Sequence, residues 1–115
     1  MKKIMEINWS QWKPMPSPQN CRQIEGPEGP GVYQIRNRNS KQLVLFGESI
    51  TCQKRMKSFF PKPFGVGTRN NEEKRNYVYE FWKDLDYRTV ATKSKEEAVN
   101  IDRHLKSLNI HIFNT

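Results

Sequence analysis

The sequence predicts a small single α/β domain: a three-stranded, mainly antiparallel sheet flanked by about three helices, in the order β-β-α-α-β-α with a short terminal strand. Three observations carry that expectation. Short runs of β-branched and aromatic residues alternate with segments whose apolar residues recur at three- and four-residue spacing. At 115 residues the chain can bury one modest core and not two. Its 35% apolar residues, with three Trp, four Tyr and six Phe, supply the bulk that such a core needs.

The elements follow in chain order. Residues 1–29 carry Trp9, Trp12, Pro14, Pro16, Pro18 and Pro27, a mix that disfavours long regular structure, and are expected to form an arm packed on a domain spanning 30–115. Trp9 and Trp12 are read as packing anchors of that arm, with base-stacking platforms as the alternative. Gly31 to Arg36 and Leu43 to Gly47 are β-forming runs separated by Asn37-Arg38-Asn39-Ser40-Lys41, whose Asn and Ser suit the turn of a hairpin.

Ser49 is expected to cap a helix in which Cys52, Met56, Phe59 and Phe60 form the apolar stripe, ended by Pro61 and Pro63. The positively charged segment Phe64 to Asn70 reads as a loop, with Gly65 and Gly67 either bringing backbone close to a phosphate or serving an ordinary surface turn. Asn71 would cap a second helix that turns Val78, Phe81 and Trp82 inward and leaves Lys74 and Arg75 on an open basic face. Tyr87 to Thr92 reads as a third strand, and Ser94-Lys-Glu-Glu97 as the capping box of a third helix with Ala98, Ile101, Leu105 and Leu108 inward. Ile110 to Phe113 would be the terminal strand.

Twenty Lys plus Arg against twelve Asp plus Glu give a formal charge of +8, and a field of that sign attracts a polyanion; nucleic acid is the leading partner. Cys21 and Cys52 have no Cys or His neighbours at metal-ligand spacing, and nothing resembles a secretory leader, so a reducing cytoplasm is the expected setting. No stretch approaches the roughly twenty apolar residues that span a bilayer, and no membrane role is expected.

Asp102 lies four residues after Ala98 and three before Leu105, so helical geometry turns it toward the apolar stripe. A carboxylate there either meets an Arg, a Lys or a metal ion, or sits at the rim of the stripe. Arg55 occupies a similar border on the first helix, where an arginine ordinarily lays its stem on the core and exposes its head. Tyr33 is, taken alone, an ordinary strand aromatic.

Together these residues form a pattern. Gly31-Val32-Tyr33, then Leu45-Phe46-Gly47, then Ser49 and Arg55, an acidic residue on the last helix and Asn114 near the end resemble the GIY-YIG endonuclease domain from about Pro30 to Asn114. The resemblance implies hydrolysis of DNA phosphodiesters with one divalent ion, Mg²⁺ or Mn²⁺. It makes Tyr33 a general base or positioner of the attacking water, Arg55 a clamp on the scissile phosphate and Asp102 the metal ligand, with Gly31, Gly47, Ser49 and Asn114 supporting the site. Those residue types suit the chemistry: an arginine holds two phosphate oxygens at once, and a hard oxygen ligand suits Mg²⁺.

The sequence also departs from that pattern. Leu45 stands where the family's second motif opens with Tyr, Phe59 where the helix ordinarily presents Tyr or His, and Asp102 where the ligand is ordinarily Glu. Asp is one methylene shorter, which sets its oxygens about 1.5 Å further back. A catalytically silent nucleic-acid-binding module and a basic protein-interaction module are therefore the alternative readings. Lys57, Lys62, Arg69, Lys74 and Arg75 are the expected phosphate contacts, which would position DNA without reading it; selectivity would then come from the 61–71 loop, the arm or a protein partner.

Overall fold

A computed structural model describes residues 7–59 and 72–114. The expectations for Phe60, Pro61, Lys62, Pro63, Gly65, Gly67, Arg69 and the Asn71 cap lie outside the described residues.

The sheet is antiparallel throughout and has four strands, β1 (Lys13–Pro14), β2 (Gly31–Asn37), β3 (Leu43–Ser49) and β4 (Leu85–Ala91), in the spatial order β1-β4-β2-β3. The helices are α1 (Cys52–Lys57), α2 (Glu72–Phe81) and α3 (Lys95–Leu108), with 3-10 segments at Pro18–Gln23 and Trp82–Asp84. The expected hairpin forms, and its turn is built by Asn37, whose Oδ1 accepts the backbone N–H of both Asn39 and Ser40 at 2.9 Å. Lys41 completes the reversal at φ 65°. At the start of α3, the Ser94 hydroxyl accepts the Glu97 N–H, the first half of the expected capping box.

Strand alternation divides the core between two faces. Tyr33, Ile35 and Leu45 pack with Cys52 and Met56 of α1, Phe59 and Val78 of α2. On the opposite face Val32, Phe46 and Val90 pack with Ala98, Ile101 and Leu105 of α3. Ile35, Leu45 and Val78 are fully enclosed, and each such side chain contributes about 1.5–3 kcal/mol by leaving water.

The arm is more structured than its composition indicates. Lys13 and Pro14 add an edge strand to β4, a position where proline's missing N–H is tolerated. Ser10 exchanges two hydrogen bonds with Thr89, and Met15 N donates to Leu85 O at 2.9 Å. Met15, Cys21 and Ile24 enter the core, and Tyr87 Oη accepts the Glu25 N–H at 2.8 Å.

Several expectations are corrected. Phe81 and Leu108 do not turn inward; they are 39% and 44% exposed. Ser49 does not cap α1: its hydroxyl accepts the Thr51 N–H at 3.0 Å, and Thr51 holds the N-cap position. α1 stops at Lys57, where Ser58 takes the Arg55 carbonyl with its hydroxyl, and Phe59 packs from the turn that follows. Lys74 is not on an open face; it lies one helical turn before the enclosed Val78 and is only 8% exposed. Ile110 to Phe113 is not a strand: the consecutive N–H groups of Ile112 and Phe113 donate to Leu43 O and Val44 O, whereas a ladder uses alternate residues.

Candidate functional site

β2 and β3 pair in a register that sets Tyr33 opposite Gly47. The Tyr33 ring crosses to β3 and fills the place a side chain at 47 would take: a Cβ there would lie 2.6 Å from Tyr33 Cζ and closer still to its hydroxyl oxygen. Gly31 is required for a different reason, since a Cβ there would meet Val90 O at 2.7 Å and Cys52 Cβ at 3.3 Å. The first glycine lets α1 and β4 close on β2, and the second makes room for the tyrosine. Phe59 meets the Tyr33 ring edge-on with centroids 5.6 Å apart, and Tyr33 is 4% exposed.

Asp102 projects from α3 on the other side of the sheet and is half-buried. Its carboxyl is pushed above the usual carboxylate range, first by burial and then by the Glu48 carboxylate, against the pull of Lys106 and Lys74. Lys74 in turn is pushed below the usual lysine range by burial and by Lys106, with Asp102 opposing the shift. The expectation that a carboxylate at this position meets a cation or sits at a rim thus resolves into both: two lysines flank it, and it is only partly covered.

The hydroxyl of Tyr33 lies over Gly47 on one face, and Glu48, the next residue of β3, neighbours Asp102 on the other. β3 is an edge strand, so the two groups approach the same edge from opposite sides. Arg55 and Lys57 are half-buried on α1, which follows β3 directly and packs on the Tyr33 face. Arg55 stands close enough to Cys52 to oppose the rise of that thiol, which burial pushes up to about 12. Arg75 is half-buried on α2. Leu45, at the position that breaks the family pattern, is enclosed in the core.

Asn114 holds the far end of α3 through its Nδ2, which donates to Lys106 O at 2.9 Å. A polar chain runs across the sheet beside it and ends at His111. Arg88 Nε donates to Gln34 Oε1 at 2.7 Å, and Gln34 Nε2 stands 2.9 Å from His111 Nε2. Since Gln34 Nε2 can only donate, His111 Nε2 accepts and its proton sits on Nδ1. Burial and the Arg88 charge, against an upward pull from Asn114, bring His111 down to about 4, and its Nδ1 is buried without a hydrogen-bond partner.

Sequence reasoning missed this chain. Gln34, Arg88 and His111 are separated by long stretches and only β2–β4 pairing and the C-terminal segment bring them together. Trp9 and Trp12 do anchor the arm, but through cations: Arg88 Cζ lies 4.4 Å from both ring centroids and Arg36 Cζ 4.2 Å from that of Trp12. Glu48 was missed because a polar residue on an edge strand carries no pattern of its own.

No protein-family model matches the chain, and no curated protein sequence matches it significantly. Among the described residues, no three His, Cys, Asp or Glu side chains group as metal ligands, and no helix is long and apolar enough to cross a membrane.

Proposed function

We propose that the chain is a divalent-metal-dependent nuclease acting on DNA phosphodiester bonds, a divergent member of the GIY-YIG type. The supporting observation is that Tyr33 and Asp102 lie by consecutive positions of one edge strand, Gly47 and Glu48, from its two opposite faces, with Arg55 on the helix that follows and on the Tyr33 face. The net charge of +8 supplies the attraction for a polyanion.

In this reading Tyr33 positions the attacking water from its hydroxyl, held by the Gly47 gap and by Phe59. Arg55 binds two non-bridging oxygens of the scissile phosphate. Asp102 would hold one Mg²⁺ or Mn²⁺, and the Glu48 carboxylate beside it adds a second hard oxygen; two carboxylates that repel one another are relieved by a cation between them. That ion would stabilise the developing charge and the leaving oxygen. Two buried, reduced cysteines fit a reducing cytoplasm.

A second reading, a silent nucleic-acid-binding module, is favoured by the near-complete enclosure of Tyr33 and by Phe59 and Leu45, which pack as core residues where proton-handling groups would serve. The deciding experiment is cleavage of branched, nicked, single-stranded and plasmid DNA with Mg²⁺ or Mn²⁺ by the native protein, Arg55→Ala, Asp102→Ala and Asp102→Glu. Metal-dependent cutting that is lost in both alanine variants, by at least about a hundredfold, and kept or raised in Asp102→Glu supports the nuclease. Binding of the same DNAs by folded native protein without any cutting supports the silent module.

A further inference from the structure

Three guanidinium groups stand together on the face of the sheet over which Trp9 and Trp12 of the arm lie. Arg36 and Arg88 share the Trp12 ring, and Arg38 joins them through Asp86, which receives Arg38 Nε at 2.8 Å and Arg36 Nη2 at 3.4 Å. Asp86 is the single carboxylate paired with them among the described residues. Arg38 is satisfied, since its two terminal nitrogens also donate to Lys83 O and Leu85 O. Arg36 is not, because its Nε is buried without an acceptor. Arg88 donates its Nε to Gln34 Oε1.

Two like charges held on one indole, one of them with a buried N–H that lacks an acceptor, form a site for an anion. Burial and the Arg36 charge bring Arg88 down to about 10, an electrostatic cost that a bound anion would offset. The indole faces are occupied by guanidinium groups, so a base is a poor occupant and a phosphate a good one. We propose that Arg36 and Arg88, held by Trp9 and Trp12, bind the phosphate backbone of nucleic acid on the arm side of the sheet, apart from the β3 edge. This proposal rests on the nucleic-acid reading of the charge and does not depend on cleavage.

The test is made without divalent metal, in EDTA, so that binding is read with cutting absent. Fluorescence anisotropy of labelled single-stranded and duplex oligonucleotides is compared for the native protein and Arg36→Gln, and the arginine Nε–Hε resonances of the native protein are followed during titration with the oligonucleotides and with inorganic phosphate. The expected result is an affinity about fivefold lower in Arg36→Gln whatever the sequence, with a salt slope smaller by about one, and shifts of the Arg36 and Arg88 resonances on oligonucleotide binding. Equal affinity and slope in the two proteins, or arginine resonances that stay fixed as the oligonucleotide saturates, would overturn it. Resonances that respond to inorganic phosphate as strongly as to oligonucleotide would make this a small-anion pocket and overturn the nucleic-acid assignment. The native-protein titration decides the matter even if Arg36→Gln fails to fold, and DNA binding without cutting in metal removes the nuclease while leaving this surface intact.

Discussion

The aromatic ring of Tyr33 occupies the side-chain space of Gly47 on the neighbouring strand, with Cζ 2.6 Å and Cε1 3.1 Å from where a Cβ at 47 would stand. The two residues are opposite one another in the β2–β3 register, and Phe59 closes on the ring from the α1 side. Tyrosine and glycine are therefore one unit: the hydroxyl reaches the sheet edge because its partner has no side chain.

Gly47→Ala should accordingly cost about 1–3 kcal/mol, the usual consequence of forcing an extra methyl into a packed site. Tyr33→Leu in the same background should return part of that loss, because the clash is with the outer part of the ring. Urea denaturation of the two single variants and the double variant measures the coupling, and strictly additive losses would show that the two residues do not share this space.

Cys52 is wholly enclosed, and its thiol is pushed up to about 12 by burial. Thiolate is the reactive form, so both access and ionisation protect it. In native protein at pH 8 a disulfide reagent should modify Cys52 at least about a thousandfold more slowly than in urea, since reaction requires opening of the fold. Mass spectrometry of peptides from a time course distinguishes Cys52 from Cys21, and rapid labelling of Cys52 in the native state would contradict its placement under α1.

Asp102 has a carboxyl pKa above the unfolded value, so the folded protein binds that proton more tightly than the unfolded chain does. Its contribution to stability is then greatest at low pH and falls as pH rises through the folded pKa. At neutral pH the ionised group is a burden on the fold. Asp102→Asn should raise the melting temperature at pH 7 and leave it little changed at pH 3, while abolishing the metal-dependent cutting proposed above. Gain of stability with loss of activity is the mark of a functional group. A lower melting temperature at pH 7 would mean that Lys74 and Lys106 make Asp102 a structural ion-pair member.

The hairpin, the capped third helix and the inward stripe of α3 as far as Leu105 were legible because each rests on a local signal: Asn37 at the turn, Ser94 before Glu97, and apolar residues at helical spacing; Leu108, in the last turn, is exposed instead. The fourth strand was not, because Lys13 and Pro14 carry no β propensity and pair only by lying against β4. Lys74 was misplaced by reading charge before period; its four-residue spacing from Val78 puts it on the inward face. Of the candidate site, the glycines, Tyr33, Arg55 and Asp102 came from a resemblance between short motifs, whereas Glu48 and the Arg88-Gln34-His111 chain depend on contacts between distant segments, which no local pattern encodes.

That chain makes a prediction about acid. His111 is 7% exposed, accepts at Nε2 from Gln34 and is held down to about 4, against 6.5 for an ordinary histidine. Between those values the unfolded chain takes up a proton that the folded protein refuses. The stabilisation tied to neutral His111 is therefore complete above pH 6.5, declines as pH falls below it, and is lost through about pH 4. Protonation would also set an N–H of His111 against the Gln34 amide N–H, freeing the segment that docks Ile112 and Phe113 on β3. Melting temperatures between pH 7.5 and 4 should fall more steeply for the native protein than for His111→Gln, which does not titrate and can still both accept and donate. The same slope in both proteins would assign the acid sensitivity to other groups and release His111 from its place in the chain.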